Sequence, residues 1–273
     1  MTVEELIIYG RKFLHSHEVN ILLAGILGYD TLELLTHLDL LVSDNDVNKF
    51  KNMIESRKNG YPLQYIIGST CFYGYDFLVN PNVLIPRFET EQLVEIVIKY
   101  IDNHFEKPIK IIDLGCGSGA IGITLSKKID NSEVTCLDIS ELALDVTKVN
   151  ADRLNANINI IKGDMLDNVT DKYDVIVSNP PYISPDEDIE PQVKDYEPHL
   201  ALYGGSDGLF FYEKILKNIQ KNLNEKYLIA FEIGYLQKES IEQLARKYLN
   251  DEDVMIETYK DLSGKDRIML IHK

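Results

Sequence analysis

Hydrophobic positions recur at helical spacing along the first part of the chain. Leu6, Ile7, Tyr9, Phe13 and Leu14 fit one face, followed by Leu22, Leu23, Ile26 and Leu27, and then Leu34, Leu35 and Leu38. The stretch SDNDVNKFKNMIESRKNG opens on cap-forming Ser43 and Asp44 and stops at Gly60, which predicts one more helix. No strand-like alternation interrupts this region, so residues 1–60 are expected to form a small helical bundle. Residues 61–88 change character. YIIGSTCFYGYDFLVNPNVLIPR is aromatic and β-branched with Gly68 and Gly74 as punctuation, and predicts a hairpin-like or extended linker. FETEQLVEIVIKYIDNHF then resumes helical periodicity, with Glu89 and Glu91 placing acid in the first turn.

From Ile109 onward the period alternates. IKIIDLG, SEVTCLDI, NINIIKGD, YDVIVSNP, KYLIAFEIG, DVMIETYK and RIMLIHK read as strands, with helices expected near 119–129, 141–154, 207–223 and 236–249. Strands alternating with helices imply right-handed crossovers and a largely parallel sheet, hence an α/β domain over residues 89–273. DLSGKD is too short to hold a crossover helix, so the last strand should run antiparallel to its neighbour.

Composition narrows the classes. The 273 residues carry 28 Lys plus Arg against 44 Asp plus Glu, a formal net charge of -16. Sequence-independent nucleic-acid binding needs clustered cations, so no stable nucleic-acid complex is expected. Three cysteines without a C-x-x-C pair argue against a disulfide framework and structural zinc. His104 and His199 lack metal-ligand spacing, and no metal is expected. The N-terminus shows no cleavage-site pattern, and no apolar run approaches the ~18 residues of a membrane span. These features point to a reducing, cytoplasmic setting and no membrane partner.

IIDLGCGSGAIGITLS sets Gly115, Gly117 and Gly119 between a strand and a helix, where the backbone can turn tightly and approach a ligand. Asp138 ends the next strand, the place of a ribose-binding carboxylate in a Rossmann-like sheet. The spacing is G-x-G-x-G, and Asp113 stands just ahead of the loop. A carboxylate there would repel a pyrophosphate but suits a cationic, phosphate-free ligand such as S-adenosylmethionine, which carries an amino group and a sulfonium. DLGCGSGAIG resembles the first motif of Rossmann-like (class I) methyltransferases. The resemblance implies cofactor contacts from Asp113, Gly115, Cys116, Gly117, Ser118, Gly119 and Asp138. It also implies that Asp164, in IIKGDML, meets the adenine amino group while Met165 packs on the ring. A helix cap or a polar strand end is the plain alternative for Asp164. Cys116 reads as a small lining side chain, because no histidine lies nearby in sequence to activate it. Cys71 and Cys136 read as buried small hydrophobes.

The run YDVIVSNPPYIS ends a buried strand in Asn179, Pro180, Pro181 and Tyr182. Prolines cannot donate to a sheet ladder, so the strand stops there. Ligands of open α/β sheets sit beyond the carboxyl ends of the strands, which puts Asn179 on the cofactor side. The Asn179 oxygen and the Pro180 carbonyl can each accept one N–H of a planar NH2 group, with Tyr182 as a flat wall. The short motif leaves adenine, cytosine and glutamine all open as the amine.

The wider sequence narrows that choice. NVLIPRFETEQLVE, DLGCGSGAIGI, SNPPYIS, YEPHLALYGGSDGL, FEIG and DLSGKDRIML occur in this order behind a helical N-terminal region. Together they resemble the HemK/PrmC family, the release factor glutamine methyltransferases, over essentially the whole chain. The resemblance implies methyl transfer from S-adenosylmethionine to the side-chain amide nitrogen of the Gly-Gly-Gln glutamine in class 1 peptide chain release factors. It implies that the N-terminal helices help to dock that protein and that Asn179, Pro180, Pro181, Tyr182 and Arg87 border the substrate. Arg87 reads equally as an ion pair with Glu89 or Glu91, and Glu197 as a substrate-loop residue or a loop anchor. The long segment 183–206 is expected to cover the substrate glutamine. The alternative is a DNA or RNA amino-methyltransferase acting on an exocyclic base NH2, which would need a basic cleft.

Overall fold

The computed structural model describes residues 1–273, which divide into a helical unit, 1–69 with 189–196, and a larger unit, 70–188 with 197–273. The helical unit contains α1 (Val3–Gly10), α2 (Ser16–Leu27), α3 (Thr31–Leu34), α4 (Asp44–Lys58) and α5 (Leu63–Ile67). Its helix starts are set by side chains: Thr2 and Glu5 form a reciprocal capping box, and Asp30 and Ser43 accept first-turn N–H groups. Leu6, Leu22, Leu23, Leu34, Phe50 and Ile54 form the core. Each such side chain is worth about 1.5–3 kcal/mol when withdrawn from water. Phe13 and Leu35 fall beyond their helices and are exposed, so the expected apolar faces are shorter than the sequence suggests. The stretch expected to be extended from residue 61 begins as helix α5, which Gly68 ends in a left-handed conformation.

At the start of the larger unit lies the hairpin β1 (Ser69–Phe72, whose first residue ends the helical unit) and β2 (Tyr75–Leu78), turned at Tyr73 and Gly74, both at positive φ. Cys71 is exposed on this hairpin, not buried as its residue type suggested, because it alternates with inward-facing Phe72. Next come α6 (Phe88–His104), β3 (Ile109–Leu114), α7 (Ala120–Lys128), β4 (Ser132–Asp138), α8 (Glu141–Leu154), β5 (Ile158–Lys162) and β6 (Tyr173–Ser178). After β6 the chain contributes a six-residue helix, α9 (Pro191–Tyr196), to the helical unit. There Arg57 Nη1 donates to Gln192 Oε1 at 2.6 Å and the Tyr196 hydroxyl to the Asn59 carbonyl at 3.0 Å. The fold closes with α10 (Phe210–Asn218), β7 (Leu223–Glu232), α11 (Lys238–Leu249), β8 (Met255–Lys260) and β9 (Asp266–His272).

The seven-stranded sheet has the order β5-β4-β3-β6-β7-β9-β8, parallel except for β9, which runs antiparallel to both neighbours. Strand residues alternate between two cores. Ile111, Val175, Val177, Leu228 and Ala230 meet Leu93, Val97 and Ile101 of α6 and Ile121 and Leu125 of α7. Ile112, Leu114, Ile176, Ile229 and Phe231 meet Tyr212, Ile215 and Leu216 of α10 and Ile241 of α11. Successive strands add outward in one direction from β3 through β5, then in the other from β6, so β3 and β6 flank the point where the order reverses. No helix is long and apolar enough to cross a membrane.

Candidate active site

Leu114 of β3 pairs in register with Ser178 of β6, so Gly115 and Asn179, one residue further on, leave the sheet side by side. The Ser178 hydroxyl donates to the Leu114 carbonyl at 2.7 Å and ties the two strand ends together. Gly115, Gly117 and Gly119 have φ of 70°, 56° and 80°. The loop's polar groups are satisfied by its surroundings. Gly115 and Cys116 N–H donate to the Leu137 carbonyl, and Gly117 N–H donates to Asp138 Oδ2 at 2.9 Å. From α8, Thr147 Oγ1 donates to the Gly117 carbonyl at 2.8 Å and Asn150 Nδ2 to the Ser118 carbonyl at 2.9 Å. These bonds fix the backbone conformation of the loop.

A cleft of about 260 Å³ lies over these strand ends. Its wall includes Gly115, Gly117, Asp138, Asp164, Met165, Asn179 and Pro181 from the expected set, together with Pro198, Leu200 and Phe210. Two carboxylates and no Lys, Arg or His line it. That donor set fits a cationic, phosphate-free ligand with hydroxyls and an apolar ring, and disfavours a pyrophosphate. Burial raises the Asp138 pKa, against the backbone N–H groups of Ser140 and Gly117 that lower it. Asp164 Oδ2 is paired with Lys214 Nζ at 2.6 Å, and Lys214 also reaches Asp167 at 3.2 Å. Partial burial works against the Lys214 ammonium, but the two aspartates outweigh it and its pKa is raised. Met165 sits at φ +51°, a strained conformation for a long side chain, and packs near Gly115.

The other expected cofactor residues support the loop and do not line the cleft. Asp113 is fully buried beneath it, with Oδ2 accepting Gly122 N–H at 2.9 Å and Oδ1 without a partner. Burial raises the Asp113 carboxyl to about 7. Cys116 Sγ lies 3.5 Å from Thr147 Oγ1, and its pKa is pushed well up, first by its contact with Cys136 and then by burial. It is a packed thiol with no activating base. Ser118 is buried, and Gly119 starts α7, where a Cβ would lie 2.9 Å from Thr147 Cγ2.

The corner after β6 is packed from behind. Pro180 is buried, and the Tyr182 ring packs against the sheet core and not on the cleft wall. Burial raises the Tyr182 pKa, and Glu232 adds to the rise. The Tyr182 carbonyl accepts from Gln237 Nε2 at 2.9 Å. A Cβ on Gly204 would lie 2.4 Å from the Pro181 carbonyl, and one on Gly208 would lie 2.2 Å from the Tyr182 carbonyl. The GGSDG stretch thus closes directly on the backbone of the corner. Asn179 Nδ2 donates to Thr90 Oγ1 at 3.3 Å, and Thr90 Oγ1 donates to Glu232 Oε2 at 2.6 Å.

Two family models match the chain: the PrmC N-terminal domain over residues 5–68 and the methyltransferase small domain over residues 90–194. A release factor glutamine methyltransferase of Clostridium botulinum is 41% identical over 263 residues, covering 94% of this chain and 91% of that one. The release factor glutamine methyltransferase of Bacillus subtilis is 39% identical, covering 90% and 88%. The chain belongs to the release factor glutamine methyltransferase family. Among solved structures, a methyltransferase from Pyrococcus furiosus shares the fold, with a TM-score of 0.54 at 22% identity, covering 74% of this chain and 90% of that one.

Within this family member, Arg87 pairs with Glu197 at 2.5 Å and not with Glu89 or Glu91. The second Glu197 oxygen accepts Ile85 N–H at 3.2 Å, and its side chain is fully buried. Glu197 therefore anchors the segment after α9 to the LIPR stretch. Segment 183–206 carries more structure than a bare loop: Ile183 bridges Tyr203, α9 forms, and residues His199–Ala201 make a 3₁₀ turn. Sequence reading missed Thr90, Asn150, Lys214, Glu232 and Gln237. For Glu232 the available signal was a charged residue at the end of the apolar strand LIAFE, since a carboxylate there needs a partner when buried. No group of side chains is arranged to hold a metal ion.

Proposed function

We propose that this chain transfers a methyl group from S-adenosylmethionine to the side-chain amide nitrogen of the Gly-Gly-Gln glutamine in class 1 peptide chain release factors. One observation carries the reading: Asn179, an acceptor-bearing side chain, leaves β6 beside the glycine loop in the same cleft. Relatives matching along nine-tenths of the chain are named for glutamine methylation.

The cleft fits the cofactor by the chemistry of its wall. Gly115 and Gly117 allow close backbone approach, Asp138 accepts from ribose hydroxyls, Asp164 accepts from the adenine amino group, and Met165 packs on the ring. Asp113, Cys116, Ser118 and Gly119 act one layer back, by holding the loop. When bound, the cofactor supplies a methyl group made electrophilic by its sulfonium. The chain's own part is orientation. An amide nitrogen is a weak nucleophile because its lone pair is delocalised into the carbonyl. Asn179 Oδ1 and the Pro180 carbonyl each accept one substrate N–H, which directs the nitrogen's π density toward the donor side. As the nitrogen gains positive charge, the two acceptor dipoles stabilise it without reorganising. The extra proton leaves after transfer, when the nitrogen is cationic and acidic, so no side chain has to remove it first.

Arg87 and Glu197 shape the mouth by holding the segment that reaches Pro198 and Leu200. The helical unit, which matches the PrmC N-terminal domain over residues 5–68, docks the release factor in this reading. The reaction takes place in the cytoplasm, in keeping with three free cysteines.

Mass spectrometry of a release factor after incubation with the chain and S-adenosylmethionine tests the proposal. One added methylene on the Gly-Gly-Gln peptide is expected. Label transferred to nucleic acid and not to release factor would overturn it.

A further inference from the structure

The Asn179 carboxamide has an acceptor at one end and donors at the other, and only one of its two flips can receive a substrate NH2. The structure contains a device that selects between them. Thr90, in the first turn of α6, and Glu232, at the end of β7, are 4% and 2% exposed. A carboxylate can only accept hydrogen bonds. Glu232 therefore takes the single hydroxyl hydrogen of Thr90 at 2.6 Å. With that hydrogen committed, the Thr90 oxygen can only accept, and the Asn179 NH2 end is what faces it at 3.3 Å. The Asn179 oxygen is left pointing away from Thr90.

We propose that Glu232 is a positioning residue that fixes the Asn179 carboxamide through Thr90, so that an oxygen and not an NH2 group meets the substrate amide. This rests on the reading that Asn179 accepts a substrate N–H. A protonated Glu232 reverses the chain of donors. It donates to Thr90, the freed hydroxyl hydrogen donates to the Asn179 oxygen, and the carboxamide turns its NH2 group toward the substrate NH2 group. The groups facing Glu232 are Thr90 and Glu89 of α6, the Tyr182 hydroxyl at 3.5 Å, Arg267 of β9, and Tyr212 of α10, whose hydroxyl donates to the Glu232 carbonyl at 2.7 Å. Burial raises the Glu232 pKa; the Thr90 hydrogen bond and Arg267 pull it back, and Glu89 adds to the rise. The productive carboxylate form is lost as pH falls through that raised value, so turnover has an acid limb above the ordinary glutamate range.

The test uses the full chain with S-adenosylmethionine and release factor, measuring kcat and KM against pH for wild type, Thr90→Val, Thr90→Ser and Glu232→Gln. Thr90→Val keeps shape but removes the hydroxyl. It should lower kcat on the order of 10²-fold, with KM for release factor and cofactor affinity near wild type. Thr90→Ser should restore most of kcat, and the acid limb should vanish in Glu232→Gln. Independently of activity, the Asn179 side-chain NH2 resonances, identified by their loss in Asn179→Asp, should exchange slowly with water in wild type and quickly in Thr90→Val. Wild-type kcat in Thr90→Val, or identical Asn179 amide exchange in the two proteins, would overturn the proposal. A wild-type chain that does not methylate release factor sinks the functional reading instead, and the exchange measurement then decides the orientation alone. If Glu232→Gln does not fold, the Thr90 pair carries the test.

Discussion

Asn179 and Asp138 line the same cleft but contribute to different quantities. On its proposed role as acceptor of a substrate N–H, Asn179→Ala should lower turnover at saturating cofactor about 10²–10³-fold while cofactor affinity stays near wild type. Near-wild-type turnover would remove Asn179 from the mechanism. Asp138→Ala removes the proposed ribose acceptors and also the partner of Gly117 N–H, so the loop itself loosens. Calorimetry should show cofactor affinity weakened by roughly tenfold or more, from the loss of about 1.5–3 kcal/mol of charge-assisted hydrogen bonding. These two residues were legible because each follows an apolar strand and ends it with a polar group. Thr90 and Glu232 were not legible as a pair. Nothing local to FETEQ or LIAFE signals that their side chains meet, since the contact spans α6 and the end of β7.

At the scale of elements, the periodic segments read clearly and the irregular ones did not. Helices α6, α7, α8 and α11 lie close to where apolar spacing put them, because each buries one stripe against the sheet. Helix α5 was missed because five residues hold little more than one turn and YIIG also reads as a strand. The stretch GGSDG, read from the sequence only as part of the family resemblance, fixes the corner after β6. Gly208→Ala would place a Cβ 2.2 Å from the Tyr182 carbonyl at a φ of +74°. The combined left-handed and overpacking cost is on the order of 2–5 kcal/mol, and chemical denaturation should report it together with lost turnover. A stability within about 0.5 kcal/mol of wild type would show that the corner can yield.

On the scale of the whole molecule, the buried carboxylates set how stability responds to pH. Asp113 holds its proton to about 7 when folded, against 3.8 as the ordinary value. Its pKa is raised, so the stability it contributes is fully present below the unfolded value and is lost as pH rises through the folded one. Unfolding free energy should therefore decline from about pH 4 toward about pH 7. Asp113→Asn should flatten part of that slope, and an unchanged slope by denaturant titration across the window would contradict the assignment. Glu232 and Asp138, also raised by burial, act in the same direction.

The α/β class, the antiparallel last strand, the glycine loop, the carboxylate that ends β4 and the rigid corner after β6 all follow from local chemistry. Apolar period, backbone conformation and proline's missing donor act over a few residues and leave their mark in the chain itself. Only the tertiary structure decided that β3 and β6 are neighbours at the reversal of strand order, which brings Gly115 beside Asn179. The same holds for the Glu197 partner of Arg87 and for the line from Glu232 through Thr90 to Asn179. Those contacts join residues far apart in sequence, and a side chain's hydrogen-bond partner is settled by which strand ends the sheet sets side by side.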